Sequence, residues 1–326
     1  MDIVCLGEAL IDFVALETCV SVAEASGFVK APGGAPANVA VGAARLGMRA
    51  AFLGKVGDDP FGHCLRSTLA ANGVETRSMR FSTTARTALA FVSLQADGER
   101  DFSFYRHPAA DMLYRPSEVD LDLVRGARAL HFGSISLIGE PARSATRHAV
   151  LAARRAGCIV SYDPNLRPPL WPDLTTAARR MAQPLPIADV VKVSEAEAAF
   201  LTGATTPEDG LHRLAEAARR ASLVTVTLGA GGALWRHASG CCGVVPGFAV
   251  NAIDTTGAGD GFVAGLLARL VQAAPSRKDL RLLAPEVVAD AVRYACAVGA
   301  LTTTSRGAIP ALPDREAVER FLETGR

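Results

Sequence analysis

Residues 254–267 read DTTGAGDGFVAGLL, a polar, glycine-rich turn that runs directly into an apolar helical pattern. The small residues Gly257, Ala258 and Gly259 let backbone N–H groups converge at the positive end of the helix dipole, which favours an anion. Asp260 falls in the first helical turn, where it can take a proton from an attacking hydroxyl group. The structural alternative is an ordinary helix N-terminus with an acid in its first turn. The threonine pair, the small residues and the acid together favour phosphoryl transfer, which needs positioning, charge neutralisation and an oriented nucleophile.

Around this segment, short apolar runs alternate with helical patterns along most of the chain. The predicted strands are Ile3–Leu6, Ala129–Phe132, Ile159–Tyr162, Val190–Val193 and Leu223–Thr227. The predicted helices are Ala37–Leu46, Ala142–Arg155, Glu195–Leu201, Leu211–Arg220, Gly259–Val271 and Glu286–Thr303. This alternation indicates βαβ units and a doubly wound, mostly parallel α/β sheet flanked by helices. We expect a single domain over residues 1–326.

Two stretches interrupt the alternation, residues 12–29 and 86–106. The second contains two strand-like runs on either side of Asp97-Gly98, a strong hairpin signal. We interpret both stretches as a small β-sheet lid over the active-site end of the strands. An extension at the edge of the main sheet is the alternative. Apolar lid residues such as Phe91 and Phe102 are expected to be exposed, which would allow a homodimer in which two lids pack together.

The net charge and the cysteine content indicate which binding partners and which cellular compartment to expect. The 34 basic and 33 acidic residues give a formal net charge of +1, so neither nucleic acid nor an anionic membrane is expected as a partner. The seven cysteines form no CxxC pair and are odd in number, which favours a reduced, cytoplasmic chain. The N-terminal MDIVCLGEAL lacks a basic region, and no apolar stretch reaches about 18 residues, so no signal peptide or transmembrane helix is expected.

A second glycine-rich segment, GGAPAN at residues 33–38, precedes another predicted helix. Its paired glycines permit close approach of a ligand to the backbone. Asn38 offers both a donor and acceptors to sugar hydroxyl groups. Taken alone the signal is weak, because helix N-termini often carry Gly, Pro and Asn.

The two glycine-rich segments, extended to GGAPANVAVGAARLG and DTTGAGDGF, resemble the two signatures of the ribokinase-like (PfkB) family of carbohydrate kinases. The resemblance covers essentially the whole chain, and YRHPAADMLY with DPNLRPPLW makes it closest to the fructokinases of that family. It implies a ribokinase-like fold with a β-lid and ATP-dependent, Mg²⁺-requiring phosphorylation of D-fructose to fructose 6-phosphate. It also implies that Asp260 is the general base and that residues 257–259 form the anion hole.

The resemblance implies further roles, position by position. The expected sugar contacts are Asp12, Gly33, Gly34, Asn38, Phe104, Arg106, Asp163, Asn165, Arg167 and Asp260. The expected nucleotide contacts are Lys192, Ser194, Thr227, Gly229, Gly232, Gly257, Gly259 and Cys296. From the residues alone, DPN at 163–165 also fits a plain turn, and TLGAGG at 227–232 also fits a plain hairpin turn.

The metal positions depart from the family pattern. The family's Asn-x-x-Glu element for Mg²⁺ and its waters corresponds here to Ser194 and Glu197, and an exposed helix acid is the alternative for Glu197. A monovalent cation, K⁺ in particular, would be held by Asp254, Thr256, Thr302, Ser305 and Gly307. Ala311 stands where a side-chain hydroxyl group can occur in the family, so the sequence leaves K⁺ dependence open.

Other classes of function are less consistent with the sequence. No GxGxxG follows the first strand and no GxxxxGK[ST] occurs, which argues against a dinucleotide oxidoreductase and a P-loop NTPase. A non-catalytic sugar-binding regulatory protein on the same fold is a further class. Within the kinase class, 2-keto-3-deoxygluconate, ribose and nucleosides are alternative substrates, since Arg167 would suit a carboxylate as well as a hydroxyl group.

Overall fold

The structure, a computed structural model, describes residues 1–94 and 100–325. Its strands are β1 (Ile3–Leu6), β2 (Leu10–Ala15), β3 (Phe28–Gly33), β4 (Ala50–Leu53), β5 (Lys55–Gly57), β6 (Arg80–Ser82), β7 (Leu89–Leu94), β8 (Arg100–Tyr105), β9 (Ala129–Gly133), β10 (Ile159–Asp163), β11 (Val190–Ser194), β12 (Leu223–Thr227), β13 (Ala233–His237) and β14 (Cys242–Val245). Its helices are α1 (Ala35–Arg45), α2 (Pro60–Ala71), α3 (Leu121–Arg125), α4 (Ala142–Ala156), α5 (Leu174–Ala182), α6 (Glu195–Thr202), α7 (Pro207–Ala217), α8 (Ala258–Ala273), α9 (Arg277–Leu280), α10 (Pro285–Thr302) and α11 (Arg315–Thr324). The hairpin turn predicted at Asp97-Gly98 lies outside the described residues.

The main sheet has eight strands in the order β14-β13-β12-β11-β10-β9-β1-β4. Six neighbouring strands of this sheet run parallel, namely β4, β1, β9, β10, β11 and β12. The last two strands, β13 and β14, form an antiparallel edge. Ile3 and Cys5 of β1 enter the apolar core formed with α1, α8 and α10, whereas Val4 and Leu6 enter the opposite core with α4 and α7. Burial on both faces explains why the strands are continuous apolar runs. The predicted α/β fold is confirmed.

A separate sheet of four strands, in the order β3-β2-β7-β8, is here called the lid sheet. It follows β1 after residues 7–9, and its strands pair with one another, so the alternative of an edge extension is wrong. On one face, Phe13 stacks on Phe91 with ring centroids 5.1 Å apart and meets Phe61 of α2 edge-on at 5.7 Å. Asp12 belongs to the opposite face, because successive side chains of a strand alternate.

The expectation that Phe91 is exposed is wrong. Its ring lies 5.1 Å from those of both Phe13 and Phe28, so aromatic contacts cover it. The side chain of Phe102 lies outside the described residues. Three exposed apolar side chains lie instead on the face that carries Asp12, and they are Val14, Leu16 and Val29 with 42%, 63% and 55% exposure. On the face of Phe91, Tyr105 at the end of β8 is 64% exposed.

Most predicted helices begin and end within two residues of the observed ones. The exception is α7, which was predicted at Leu211–Arg220 and lies at Pro207–Ala217. Thr206 caps this helix by accepting a hydrogen bond from the N–H of Asp209 at 3.2 Å, and proline occupies the first helical position. Among the helices within the described ranges, none is both long enough and apolar enough to span a membrane.

Candidate active site

The N-terminus of α8 is shaped by two glycines. Gly257 has φ +79°, and a β-carbon there would lie 2.8 Å from the β-carbon of Ala308, so a larger residue would be both strained and crowded. Residues 258–260 supply the first N–H groups of the helix, which have no intrahelical acceptor. A β-carbon on Gly259 would lie 3.0 Å from Nζ of Lys192. An ammonium group therefore lies beside a helix N-terminus, an arrangement suited to binding an anion.

Asp260 is held from two sides by side-chain amides. Asn38 of α1 donates from Nδ2 to Oδ2 at 2.8 Å, and Asn165, which follows β10, donates from Nδ2 to Oδ1 at 3.4 Å. The carboxyl group is buried. Burial raises the pKa of Asp260, while the hydrogen bond from Asn38 and the charges of Arg167 and Lys192 oppose the rise. A carboxylate with a raised pKa and a fixed orientation is a better general base than a free one.

A buried ion pair lies beneath the anion-binding point. Lys192 of β11 donates to Oδ2 of Asp163 at the end of β10, at 3.0 Å. Burial raises the pKa of Asp163 to about 7 against the pull of Lys192. Burial would lower the pKa of Lys192, but Asp163 and Glu197 outweigh that effect and raise it. On the neighbouring strand, Nδ1 of His131 is 3.0 Å from Oγ of Ser161, and burial with the charge of Lys192 lowers the His131 pKa to about 3. The imidazole is therefore neutral.

The predicted sugar residues of the N-terminal segments meet where the lid sheet joins the main sheet. A β-carbon on Gly33 would lie 2.6 Å from Oδ2 of Asp12. Gly34 has φ +108°, and a β-carbon there would lie 2.5 Å from the carbonyl oxygen of Glu8. Gly34 therefore requires glycine, whereas a larger residue at Gly33 would displace the Asp12 side chain.

Two arginines predicted to contact sugar have different surroundings. Arg106, directly after β8, is buried and donates from Nε to Oδ2 of Asp111 at 2.7 Å. Arg167 donates to the carbonyl oxygen of Leu166 at 3.0 Å, and its charge acts on Asp260. Phe104 packs on the small apolar cluster at the base of the lid sheet. The structure thus brings Arg167 close to Asp260, whereas Arg106 is engaged by Asp111.

The predicted nucleotide residues follow adjacent strands. Ser194 ends β11 and Thr227 ends β12, and the two are partners in the parallel register. Gly229 and Gly232, with φ +57° and +96°, shape the turn between β12 and β13. A β-carbon on Gly232 would fall on the carbonyl oxygen of Val245. The TLGAGG stretch is therefore a hairpin turn, and it lies at the carboxyl ends of the parallel strands, where ligands bind in such sheets.

Cys296 belongs to α10, the helix that packs on α8. It is buried in α10, and burial raises the pKa of its thiol to about 12. One turn later, a β-carbon on Gly299 would lie 3.2 Å from the carbonyl oxygen of Ala258. Cys296 is therefore a neutral, apolar side chain about one helical turn from the start of α8.

Glu197 is buried, so its interpretation as an exposed helix acid is wrong. Its Oε2 accepts hydrogen bonds from the N–H and hydroxyl of Ser194, at 2.8 and 3.1 Å, which makes the pair a capping box for α6. Its Oε1 accepts from the N–H of Leu166 at 2.6 Å. In the part of the chain that the structure describes, no group of three or more His, Cys, Asp or Glu side chains could hold a metal ion.

The residues predicted to hold a monovalent cation are partly assembled. Oδ1 of Asp254 accepts from the N–H of Thr256 at 2.9 Å, and Oδ2 accepts from the N–H of Gly307 at 2.8 Å. Ser305 lies in the same loop as Gly307. The hydroxyl of Thr302 instead donates within α10 at 2.8 Å. Asp254 therefore ties the turn before α8 to the loop after α10.

Sequence reasoning gave no role to three buried polar residues that the structure places in or beneath the site. Glu8 stands in LGEALID, and an acid directly after a buried strand was a signal that could have identified it. Asp111 belongs to YRHPAADMLY, which served only to establish the resemblance. His131 lies inside a strand, where the sequence does not distinguish it from a core residue.

The sequence and the structure are similar to those of known carbohydrate kinases. Residues 1–315 match the pfkB family carbohydrate kinase description. The chain is 49% identical over 329 residues to the fructokinase-2 of Solanum habrochaites, a match that covers 99% of this chain and 96% of that protein. The solved structure of the Xylella fastidiosa fructokinase with bound ATP has a TM-score of 0.91 and 39% identity, covering 100% of this chain and 99% of that chain. A fructokinase double mutant of Vibrio cholerae O395, with fructose, ADP and potassium ion bound, has a TM-score of 0.87 and 39% identity, covering 98% of each chain.

The family match and the similarity to fructokinases, together with the acid and the anion-binding helix N-terminus, identify a sugar kinase, a phosphotransferase with an alcohol acceptor. The chain belongs to the pfkB family of carbohydrate kinases.

Proposed function

We propose that the protein is a fructokinase, which transfers the γ-phosphoryl group of ATP to the 6-hydroxyl of D-fructose and yields fructose 6-phosphate and ADP. The observation that carries the proposal is the position of Asp260, a buried carboxylate oriented by Asn38 beside the N-terminus of α8 and near Lys192. The similarity to proteins named fructokinase supports fructose as the sugar.

In the proposed reaction, Asp260 accepts the proton of the 6-hydroxyl as that oxygen forms its bond to the γ-phosphorus and the bond to the β-phosphate oxygen breaks. The N–H groups of residues 257–259, the predicted anion hole, and the ammonium of Lys192 stabilise the negative charge on the transferring group. Asp260 returns the proton to solvent when the products leave. The raised pKa of Asp260 strengthens it as a base at the moment of transfer.

The proposed sugar contacts surround Asp260 from three directions. The floor of the cleft is Asp12, Gly33, Gly34 and Asn38, the lid side is Phe104 and Arg106, and the loop after β10 supplies Asp163, Asn165 and Arg167. Because residues of the lid sheet complete the site, its movement onto bound sugar would exclude the water that could otherwise hydrolyse ATP.

The proposed nucleotide site comprises Lys192, Ser194, Thr227, Gly229, Gly232, Cys296 and the start of α8. Both Glu197 oxygens already accept hydrogen bonds from protein groups, so Mg²⁺ would reach the site chiefly on phosphate oxygens and water, with Glu197 acting through a water molecule. Such an ion neutralises phosphate charge. Asp254, Thr256 and Gly307 fit one side of a K⁺ site, together with Ser305 and Thr302, although Thr302 donates its hydroxyl elsewhere.

We also propose a cytoplasmic location and a homodimer. The seven cysteines are all free, and Cys5, Cys158 and Cys296 are buried thiols, which suits a reducing compartment. The exposed face of the lid sheet that carries Val14, Leu16 and Val29 is the proposed contact between two copies.

A sugar panel tests the proposed function. D-fructose, ribose, 2-keto-3-deoxygluconate and a nucleoside are each supplied with ATP and Mg²⁺, ADP release is followed, and the product is located by ³¹P NMR. Fructose is expected to give the highest kcat/KM, with the phosphate at C6. A roughly tenfold advantage for another acceptor would replace fructose as substrate but keep the kinase. If no sugar were phosphorylated, the non-catalytic alternative would stand.

A further inference from the structure

Glu8 occupies the connection between the main sheet and the lid sheet. It follows β1 and precedes β2, and its side chain is 2% exposed. Its backbone carbonyl lies against Gly34 so closely that a β-carbon there would be 2.5 Å away. The charges of Arg106, Asp111 and Asp260 all act on its carboxyl group. Glu8 is therefore at the proposed sugar cleft and beside residues from both sheets.

Three buried acceptor oxygens in this region have no hydrogen-bond partner within the described part of the chain. They are Oε2 of Glu8, Oδ1 of Asn38 and Oδ1 of Asp111. Asn38 uses its other side-chain atom to orient Asp260, and Asp111 uses its other oxygen to bind Arg106. A buried polar atom without a partner is destabilising and uncommon, so several at one place require donors from water or from a ligand.

A sugar is a ligand with the required chemistry, because each of its hydroxyl groups is a hydrogen-bond donor. Of the three residues, only Asn38 belongs to a glycine-rich segment that already indicated sugar binding. Glu8 has no partner of its own among the described cations, since Arg106 bonds to Asp111. A core carboxylate that is ionised and serves only stability would be paired with such a cation.

We propose that Glu8 is a specificity-determining residue that accepts a hydrogen bond from a non-reacting hydroxyl of the sugar substrate. This inference rests on the proposed sugar-kinase function. Asp111, which binds Arg106 at 2.7 Å, would act as a positioning residue for that proposed sugar contact. Because Glu8 connects the two sheets, its contact with sugar would also tie the bound substrate to the position of the lid sheet.

The test combines a change in the Glu8 side chain with the removal of single hydroxyl groups from the substrate, and asks whether the two effects are additive. kcat and KM are measured for wild type and Glu8→Gln with D-fructose and with fructose analogues that each lack one hydroxyl other than the 6-hydroxyl. Glu8→Gln is expected to lower kcat/KM for fructose about 10- to 100-fold, mainly through KM for the sugar, with KM for ATP unchanged. For the analogue that lacks the hydroxyl bound by Glu8, kcat/KM of the wild type should fall by a similar factor relative to fructose. For the same analogue, kcat/KM of Glu8→Gln should fall little further.

The matched control is Asp189→Asn. Asp189 is also 2% exposed, but it lies before β11, at the amino ends of the parallel strands, where it accepts from the N–H of Val160 at 2.9 Å. It is expected to leave the fructose kinetics unchanged. If Glu8→Gln does not fold, Glu8→Asp shortens the side chain and keeps its charge, and the same non-additivity with one analogue is expected.

Three results would overturn the inference. In the first, Glu8→Gln has wild-type KM for fructose. In the second, its effect adds equally to every hydroxyl deletion, which is the behaviour of a structural residue. In the third, wild type uses all the deoxy analogues as well as fructose, which needs no variant to observe. Failure of wild type to phosphorylate any sugar would instead overturn the proposed function, so the two failures are distinguishable.

Discussion

Asp260 is the residue whose chemistry most depends on its surroundings. It is the third residue of α8, and Asp209 is the third residue of α7, so the same acid occupies the same helical position twice. Only Asp260 is buried and receives hydrogen bonds from two side-chain amides. Asp209 pairs with Arg213 at the surface. Comparing the two residues therefore distinguishes the catalytic role of a general base from the structural role of an acidic residue in the first turn of a helix.

Asp260→Asn is expected to lower kcat about 10²- to 10⁴-fold, because it keeps the shape but removes the basicity. Binding of fructose and ATP, measured by calorimetry, should change little. Asp209→Asn is the control, with kcat near wild type. If Asp260→Asn kept more than about a third of wild-type kcat, far outside the range for a general base, Asp260 would be a helix-terminal acid and the base would lie elsewhere.

Glu8 makes a pH-dependent contribution to the free energy of unfolding, and this contribution can be measured without substrate. Burial raises its pKa from 4.5 to about 7, with its own backbone N–H and Arg106 opposing the rise and with Asp111 and Asp260 adding to it. The folded protein thus holds the Glu8 proton more tightly than the unfolded chain. The Glu8 contribution to the free energy of unfolding is therefore fully present below pH 4.5 and is lost as the pH rises to about 7.

The difference in unfolding free energy, Glu8→Gln minus wild type, is expected to increase by about 3 kcal/mol as the pH rises from about 5 to about 8, since a pKa unit corresponds to about 1.4 kcal/mol. Denaturant unfolding at several pH values measures it. Taking the difference cancels other groups such as Asp163. Glu75→Gln should give a flat difference there, because the N–H of Arg77 lowers the Glu75 pKa. A flat profile for Glu8→Gln would mean that Glu8 is ionised throughout this range.

At the scale of elements, the turn into α8 depends on a conformation that only glycine adopts easily. Gly257 and Gly203 both have positive φ, +79° and +68°. Gly257 begins a helix against Ala308, whereas Gly203 ends α6 with nothing within 4 Å of its missing β-carbon. Substituting each glycine therefore distinguishes the effect of backbone strain, present at both positions, from the effect of displacing the anion-binding N–H groups, present only at Gly257.

Gly257→Ala and Gly203→Ala are each expected to lower the free energy of unfolding by about 1 to 2 kcal/mol, from the left-handed backbone alone. Gly257→Ala should in addition lower kcat by about 10²-fold, because the contact with Ala308 moves the N–H groups that stabilise the transferring phosphoryl group. Gly203→Ala should keep wild-type kcat. Equal kcat values for both variants would show that the turn does not position groups used in catalysis.

The elements that the sequence predicted are those with a local signal. β1 and β12 have the predicted bounds, because continuous apolar runs in a sheet buried on both faces have clear ends. The bounds of α7 were wrong because its cap, Thr206, stands before the apolar pattern begins. The sequence prediction also missed β4, α2 and α11, although Asp59 with Pro60 at the start of α2 and Asp314 at the start of α11 are local signals of a helix N-terminus.

The site could be predicted to the extent that its residues lie in glycine-rich segments or directly after strands. Asp260, Asn38 and Asn165 are far apart in sequence, yet the carboxyl ends of parallel strands and helix N-termini meet at one edge of the sheet. The unpaired oxygens of Glu8 and Asp111 could not be predicted, because lacking a partner is a property of the folded chain. The neutrality of His131 likewise results from burial.

At the scale of the whole molecule, the two faces of the lid sheet differ in their contacts. Phe13 and Phe91 cover one face and contact α2 through Phe61. Val14 and Val29, which are direct cross-strand partners, lie on the other face with 42% and 55% exposure. With a net charge of only +1, long-range repulsion between two copies is weak. A second copy related by a two-fold axis could cover this face on both molecules at once.

Val29→Lys is expected to shift the protein from dimer to monomer, because it places an ammonium group at the centre of the proposed apolar contact. Sedimentation velocity over a range of protein concentrations measures the shift. Val244→Lys is the matched control, since Val244 is 64% exposed on the edge strand β14, which five strands separate from β1, the strand that leads into the lid sheet. It should sediment as wild type does. A wild-type protein that stays monomeric at all concentrations, or a Val29→Lys variant that dimerises as strongly as Val244→Lys, would rule out this face as the contact between two copies.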